Sequence, residues 1–231
     1  MVATPRLATE RLTLEPLTLD DIPAIYEIAR EKESIEDYQY VARCLDDVKA
    51  WLEPSIEDDA SLVWVIRRQG RAIGLFEVAF EAEYSDWEAN VCRIGYFLDH
   101  REQNLGYATE ALLAVVDWLF RCTDVERIEA GVTLHNVPSY RILEKAGFVR
   151  DRIVEGNWQW YDRVYDSVYY YLPGPRLPEA TRRDSGTLEM EGPRLHWTLS
   201  QRERGTLRLT RRRFRRRIYL SSYLLRSQVT L

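Results

Sequence analysis

Residues 106–120 constrain the fold most. Ala108, Ala111, Leu112, Val115, Val116, Leu119 and Phe120 follow Gly106 at i, i+3, i+4, i+7, i+8, i+11, i+12 spacing, a period that only a helix gathers into one continuous stripe. Such a stripe has to lie on another layer, and here that layer is a sheet.

The strands of that sheet show in the alternation around the helix. Arg11 to Leu17 alternates apolar and polar residues as a half-buried strand does, and Asp20-Asp21 then opens a helix carrying Ile22, Ala24, Ile25 and Ile28, with Pro23 tolerated in its first turn. A second short helix over Val48 to Leu52 is expected to stop at Pro54. Ser61–Arg67 and Ala72–Phe80 form a hairpin about Gln69-Gly70. Val91–Leu98 and Ile128–Thr133 are further strands, Pro138–Lys145 is a helix capped by Gly147, and strands near Phe148–Val154 and Trp158–Leu172 complete the body. The order βααβββαβαββ predicts an α/β (α+β) fold, a mixed and mostly antiparallel sheet with helices on both faces.

Pro173, Gly174, Pro175 and Pro178 mark a boundary, giving a body over 1–173 and an Arg-rich extension over 174–231. The extension holds 14 arginines, no lysine and five acidic residues, a net +9, which leaves 18 basic and 32 acidic residues, a net −14, on the body. An acidic body favours cationic partners, amines among them, and a basic extension favours RNA, a ribosomal surface or the body itself. No apolar run reaches the ~20 residues of a membrane helix, and the expectation is a cytoplasmic protein with no membrane partner. A homodimer is open. Cys44, Cys92 and Cys122 lack metal or redox spacing and are expected to be free, buried thiols; His100, His135 and His196 show no ligand spacing, so no metal is expected.

Gln103-Asn104-Leu105-Gly106-Tyr107-Ala108-Thr109-Glu110 joins a strand to the amphipathic helix. First-turn N–H groups have no intrahelical partner and sit at the positive end of the helix dipole, so they attract anions, and small residues let a pyrophosphate approach the backbone. With one required glycine the segment, taken alone, reads more readily as an ordinary helix start, and it lacks the glycines of a dinucleotide fingerprint.

A second constellation, His135-Asn136-Val137-Pro138-Ser139-Tyr140-Arg141-Ile142-Leu143-Glu144-Lys145-Ala146-Gly147-Phe148, narrows the reading. Taken with the Gly106-Tyr-Ala-Thr-Glu-Ala helix start, Ile94-Gly95-Tyr96-Phe97-Leu98 and Thr9-Glu10-Arg11-Leu12, it resembles the GNAT superfamily of N-acetyltransferases, in particular its RimJ/RimL-like branch, over about residues 5–172. The resemblance implies the acyl-CoA N-acyltransferase fold, acetyl-CoA as cosubstrate, and direct transfer of acetyl to a primary amine in a ternary complex. The acceptor would be a protein N-terminus or a small-molecule amine. It implies that Gln103, Asn104, Leu105, Gly106, Tyr107, Ala108 and Thr109 hold the coenzyme A pyrophosphate through main-chain N–H groups. Phe97 and Leu98 would pair with pantetheine where their strand splays from the one at 128–133, Asn136 would bond the pantetheine arm, and Ser139 would stand by the sulfur.

Many relatives carry a tyrosine as proton donor where this chain has Leu143, whereas the RimJ/RimL-like branch uses a serine, which makes Ser139 the first candidate. A cap for the helix beginning at Pro138 is its alternative role. Relatives often place a carboxylate just ahead of the Gly-Tyr pair, where this chain has Arg93; Glu77, which interrupts an apolar strand in mid-sheet, is the best replacement, and a solvent-facing Glu77 with relay through ordered water is the alternative. Asn104 and Leu105 stand where Gly and Lys or Arg are common. Asn tolerates positive φ, but Leu105 removes a charge from beside the phosphates, and weaker coenzyme A binding is expected. These departures keep a second class open, a catalytically weak scaffold that binds acyl-CoA or associates with RNA or the ribosome.

Overall fold

The computed structural model describes residues 3–31, 34, 42–57, 61–80, 90–160 and 163–174. Along the chain run β1 (Leu7–Ala8), β2 (Thr13–Pro16), α1 (Ile22–Ala29), α2 (Leu45–Glu57), β3 (Ser61–Arg68), β4 (Arg71–Ala79), β5 (Val91–Leu98), α3 (Tyr107–Cys122), β6 (Arg127–Thr133), α4 (Val137–Lys145), β7 (Val149–Trp160) and β8 (Arg163–Pro173). The strands form one sheet in the order β1-β2-β3-β4-β5-β6-β8-β7, antiparallel at every pair except β5–β6. The expected element order is recovered, with β1 added; two residues are too few for a periodicity to reveal.

Alternation along the strands divides the core between two faces. On one, Leu62, Trp64 and Ile66 of β3, Phe76 and Val78 of β4 and Cys92 and Ile94 of β5 meet Ala111, Leu112, Val115 and Leu119 of α3 and Leu143 of α4. On the other, Val63, Val65, Leu75 and Phe97 meet Ile25 and Ile28 of α1 and Val48 and Leu52 of α2. Leu112, Val115 and Leu119 are fully buried, and at about 1.5–3 kcal/mol for each such side chain the three contribute about 5–9 kcal/mol, comparable with the net stability of a whole domain. Helix α3 therefore cannot lift off while the domain stays folded.

Three expectations are corrected. Pro54 does not stop α2, which runs on to Glu57; a proline inside a helix costs about 3 kcal/mol, and burial of Val48 and Leu52 against the sheet offsets it. The last two strands do not break at 155–157, because Gly156 (φ 59°) forms a bulge inside β7 where the register shifts between Val154 and Trp158. Its N–H donates to Asp166 Oδ1 at 2.9 Å, and β7 runs on to Trp160 before β8 begins at Arg163. The cysteines are free, but only Cys92 is buried; Cys44 precedes α2 and Cys122 ends α3, where the chain meets solvent. Residues 175–231, which hold nearly all of the Arg-rich extension and His196, lie outside the described residues.

Candidate active site

The parallel ladder between β5 and β6 is short. It holds Val91↔Arg127, Cys92↔Ile128 and Arg93↔Glu129 and ends there. From Ile94 onward β5 stays with β4 as far as Leu98↔Gly74, while β6 follows β8 as far as Thr133↔Ser167. The two strands share no rung beyond Arg93, so a wedge opens in the middle of the sheet with the backbone of Ile94–Leu98 along one side.

Gly74 explains how the end of β5 lies so close to β4. A Cβ at this position would stand 2.6 Å from Leu98 Cδ2 and 3.0 Å from Leu98 Cα, and closer still to the Phe97 carbonyl oxygen. Beyond β5, the buried carboxylates of Asp99 and Glu102 anchor the chain. Asp99 accepts from Arg101 N and Nε at 3.0 and 2.9 Å. Burial pushes its carboxyl up, but the hydrogen bonds and charge of Arg101 prevail and hold it below the ordinary value. Glu102 pairs with Arg71 and, at 3.5 Å, with Arg68.

The cradle follows. Gln103 Nε2 donates to the Leu98 carbonyl at 3.2 Å, tying the loop to the end of β5. Asn104 (φ 61°) and Gly106 (φ 83°) are both left-handed, the conformation that asparagine and glycine accept most readily. Leu105 is 51% exposed. The first helical bond is Glu110 N–H to the Gly106 carbonyl at 3.0 Å, so the amides of Tyr107, Ala108 and Thr109 precede the α-helical ladder. Tyr107 is buried, with the guanidinium of Arg11 4.6 Å and that of Arg68 5.3 Å from its ring centre.

Arg11 occupies the place where sequence reasoning found a missing charge. Its Nη1 donates to the Leu105 carbonyl at 3.0 Å, and its Nη2 would lie 3.3 Å from a Cβ at Gly106. Glu110 holds it there, accepting from Arg11 N at 2.9 Å, Arg11 Nε at 2.7 Å and Thr9 Oγ1 at 2.6 Å. Burial raises the Glu110 carboxyl, and these donors outweigh it and bring it below its ordinary value.

Across the wedge stands the first turn of α4. Asn136 is its N-cap, with Oδ1 accepting from Ser139 N–H at 3.0 Å. Ser139 is therefore not the cap, which corrects the alternative role read from sequence; the amide of Asn136 reaches the orphan donor and leaves the serine hydroxyl uncommitted to it. That hydroxyl lies 3.3 Å from the hydroxyl of Tyr96, on the segment of β5 that no longer pairs with β6. Tyr96 stacks on Phe76 at 5.5 Å and 20°. Burial pushes its hydroxyl up to about 12, with the Ser139 hydrogen bond acting the other way, so Tyr96 keeps its proton throughout the physiological range.

Glu77 pairs with Gly95 of β5 and Val63 of β3 and is half-buried. Because Phe76 and Val78 face α3, alternation puts Glu77 on the α1/α2 face, on the other side of the sheet from Tyr96 and Ser139. Arg93 lies on the last rung before the wedge, opposite Glu129.

Residues 11–149 match the profile of the acetyltransferase (GNAT) domain. The chain belongs to the GNAT acetyltransferase family. As a GNAT domain it is an acetyl-CoA-dependent acetyltransferase, with the mixed, mostly antiparallel sheet expected of it. It is 28% identical over 153 residues to YnaD of Bacillus subtilis, an uncharacterized N-acetyltransferase, covering 64% of this chain and 87% of that protein. Among solved structures it resembles the ribosomal L7/L12 alpha-N-protein acetyltransferase RimL in complex with coenzyme A (17% identity, TM-score 0.65, covering 74% of this chain and 98% of that one). It also resembles the spermidine N-acetyltransferase of Vibrio cholerae in complex with coenzyme A and spermine (18% identity, TM-score 0.63, covering 71% and 96%).

Within this GNAT domain the structure brings Phe97, Leu98, Asn136 and Ser139 to the wedge and places residues 103–109 at its end, while Glu77 stands apart on the opposite face. Sequence reasoning missed Arg11, Arg68 and Glu110 as the frame of the cradle. Arg11 and Glu110 were visible only as members of their motifs, and a contact spanning 99 residues leaves no local signal. Tyr96 was likewise quoted only as part of Gly95-Tyr96, and nothing in its spacing pointed to Ser139.

Proposed function

We propose that this chain transfers the acetyl group of acetyl-CoA to a primary amine, a protein N-terminal amine or a small-molecule amine, in a ternary complex. The observation that carries this reading is the alignment of one open strand edge with two chemical ends: the anion cradle beyond Leu98, and the Ser139 and Tyr96 hydroxyls across from it. The first-turn amides of α3 hold the pyrophosphate. Arg11 stands in for the cation that Leu105 removes, its charge partly offset by Glu110. The backbone of Phe97 and Leu98 pairs with pantetheine. Asn136, whose Oδ1 serves the helix cap, has its Nδ2 donor to offer to a pantetheine carbonyl.

The amine nitrogen attacks the thioester carbonyl, the C–N bond forms, the C–S bond breaks, and coenzyme A departs as a thiolate. Ser139 hydrogen-bonds the departing sulfur. Because Glu77 lies on the opposite sheet face from Ser139, the proton of the attacking ammonium leaves through ordered water, which passes it on to Glu77. Acceptor chemistry agrees with the charge of the body, net −14 over residues 1–173, since a field of that sign draws cationic amines. RimL and the spermidine acetyltransferase, both similar in fold, act on a protein amine and a polyamine by their names. The extension from Gly174 is read as a separate association element for RNA, the ribosome or an acidic surface, and the location as cytoplasmic; among the described residues no helix is long and apolar enough to cross a membrane. The test is Ser139→Ala, expected to lower turnover on the order of 10- to 1000-fold while acetyl-CoA affinity changes little. Unchanged turnover would remove Ser139 from the chemistry.

A further inference from the structure

The wedge contains one side chain that the motifs leave without a task. Tyr96 leaves β5 on the segment that has lost its β6 partner, keeps its ring flat against Phe76, and carries its hydroxyl across to the first turn of α4. There it meets two oxygens of one residue, Ser139 Oγ at 3.3 Å and the Ser139 carbonyl at 3.5 Å. A lone serine hydroxyl rotates freely about its C–O bond and is a weak acid. A phenol that keeps its proton and donates to Oγ occupies an acceptor lone pair of that oxygen and turns the serine O–H outward. Ser139 N–H is already held by Asn136, so backbone and hydroxyl of the same residue are fixed from two sides.

We propose that Tyr96 is a positioning residue that orients the Ser139 hydroxyl toward the coenzyme A sulfur, the two acting as one hydrogen-bond relay that stabilises the departing thiolate. This rests on the acetyl-transfer reading above and deepens it. No proton leaves Tyr96 in the step: its one O–H, which lies within reach of both the Ser139 carbonyl and Ser139 Oγ, turns to Oγ, the Ser139 O–H donates to the sulfur, and the electron pair of the broken C–S bond stays on sulfur. The raised proton affinity of Tyr96 fits a group that donates a hydrogen bond without ionising.

The relay makes a prediction that needs no acceptor amine. Free coenzyme A, bound to the full chain, has a thiol whose ionisation the relay favours, so its affinity should rise with pH relative to acetyl-CoA, which has no thiol to ionise. Calorimetric titration of both compounds from pH 6 to 9 reads that difference. In Tyr96→Phe, which keeps the ring against Phe76, the rise should shrink by about tenfold, the scale of one hydrogen bond to a charged group. Acetyl-CoA affinity and the melting temperature should stay close to wild type. Ser139→Ala should show the same loss, and the double variant no further loss, because removing either member disables the unit. Tyr96→Phe keeping the wild-type rise, or losses that add in the double variant, would overturn the relay while leaving acetyl transfer standing. A wild-type chain that binds neither compound would overturn both.

Discussion

Gly74→Ala isolates the geometry on which the wedge depends. Away from close contacts, alanine in a strand is favoured over glycine by about 0.5–1 kcal/mol. Here the new methyl would press on the Leu98 side chain at 2.6 Å and on the Phe97–Leu98 backbone. Backbone cannot rotate away as a side chain can, so the cost belongs at the upper end of the 1–3 kcal/mol typical of overpacking, and the net destabilisation is about 2 kcal/mol. For a protein of this size that lowers the melting temperature by about 4–8 °C. Relief would come from moving the end of β5 away from β4, and with it the strand edge and the Gln103 contact that tie the cradle to the wedge, so acetyl-CoA affinity should fall as well. Gly70→Ala is the control. Its φ is +79° with nothing among the described residues within 4 Å of a Cβ, so it carries left-handed strain, about 1 kcal/mol, and acetyl-CoA binding should be untouched. Circular dichroism melts and calorimetry on the two variants check both halves. Gly74→Ala that melts with the wild type and keeps its affinity would show that β5 is not held in the way the packing requires.

Gly106→Glu should abolish acetyl-CoA binding in a folded protein, because it sets a negative side chain at the cradle while, among the described residues, the close neighbour of its Cβ is the movable end of Arg11; calorimetry beside a thermal melt checks it. Glu110 and Asp99 have folded-state proton affinities below their ordinary values, so their stabilisation is complete above about pH 4–4.5 and is lost as pH falls through the lowered values. Glu110→Gln should therefore cost about 1.5–3 kcal/mol at neutral pH and flatten the decline in melting temperature below pH 4.5; an unchanged acid slope would contradict the assignment. A chain ending at Pro173 should stay soluble, unfold cooperatively and keep acetyl transfer, whereas insolubility would put residues 174–231 inside the fold.

The sequence carried the body of this fold because its signals are periodic and local. The α3 stripe and the β5 run match the structure within a residue or two, since each buries one repeating face. Pro54 and the break between strands at 155–157 were misjudged for a shared reason: a breaker residue, Pro54 or the Gly156 inside that gap, states a local preference, and the burial of Val48 and Leu52 or the β7–β8 ladder decides whether it prevails. At the site, Ser139 and the cradle were legible as motifs, yet which side chain caps α4 and what supports Gly106 were not. Those depend on Asn136 meeting Ser139 N–H and on Arg11 reaching Leu105 across 94 residues of sequence. Positive φ at Asn104 was anticipated from its chemistry and is present.

Acetyl transfer to an amine, beyond the binding of acyl-CoA, is the activity proposed for the wedge. Release of free thiol from acetyl-CoA by the full chain, followed across a panel of N-terminal peptides and polyamines, measures this directly. Thiol release is expected to depend on at least one primary amine and to be matched mole for mole by acetylated amine in the mass spectrum. Tight acetyl-CoA binding with no amine-dependent thiol release anywhere in the panel would contradict it and favour an acyl-CoA-binding role for the same wedge.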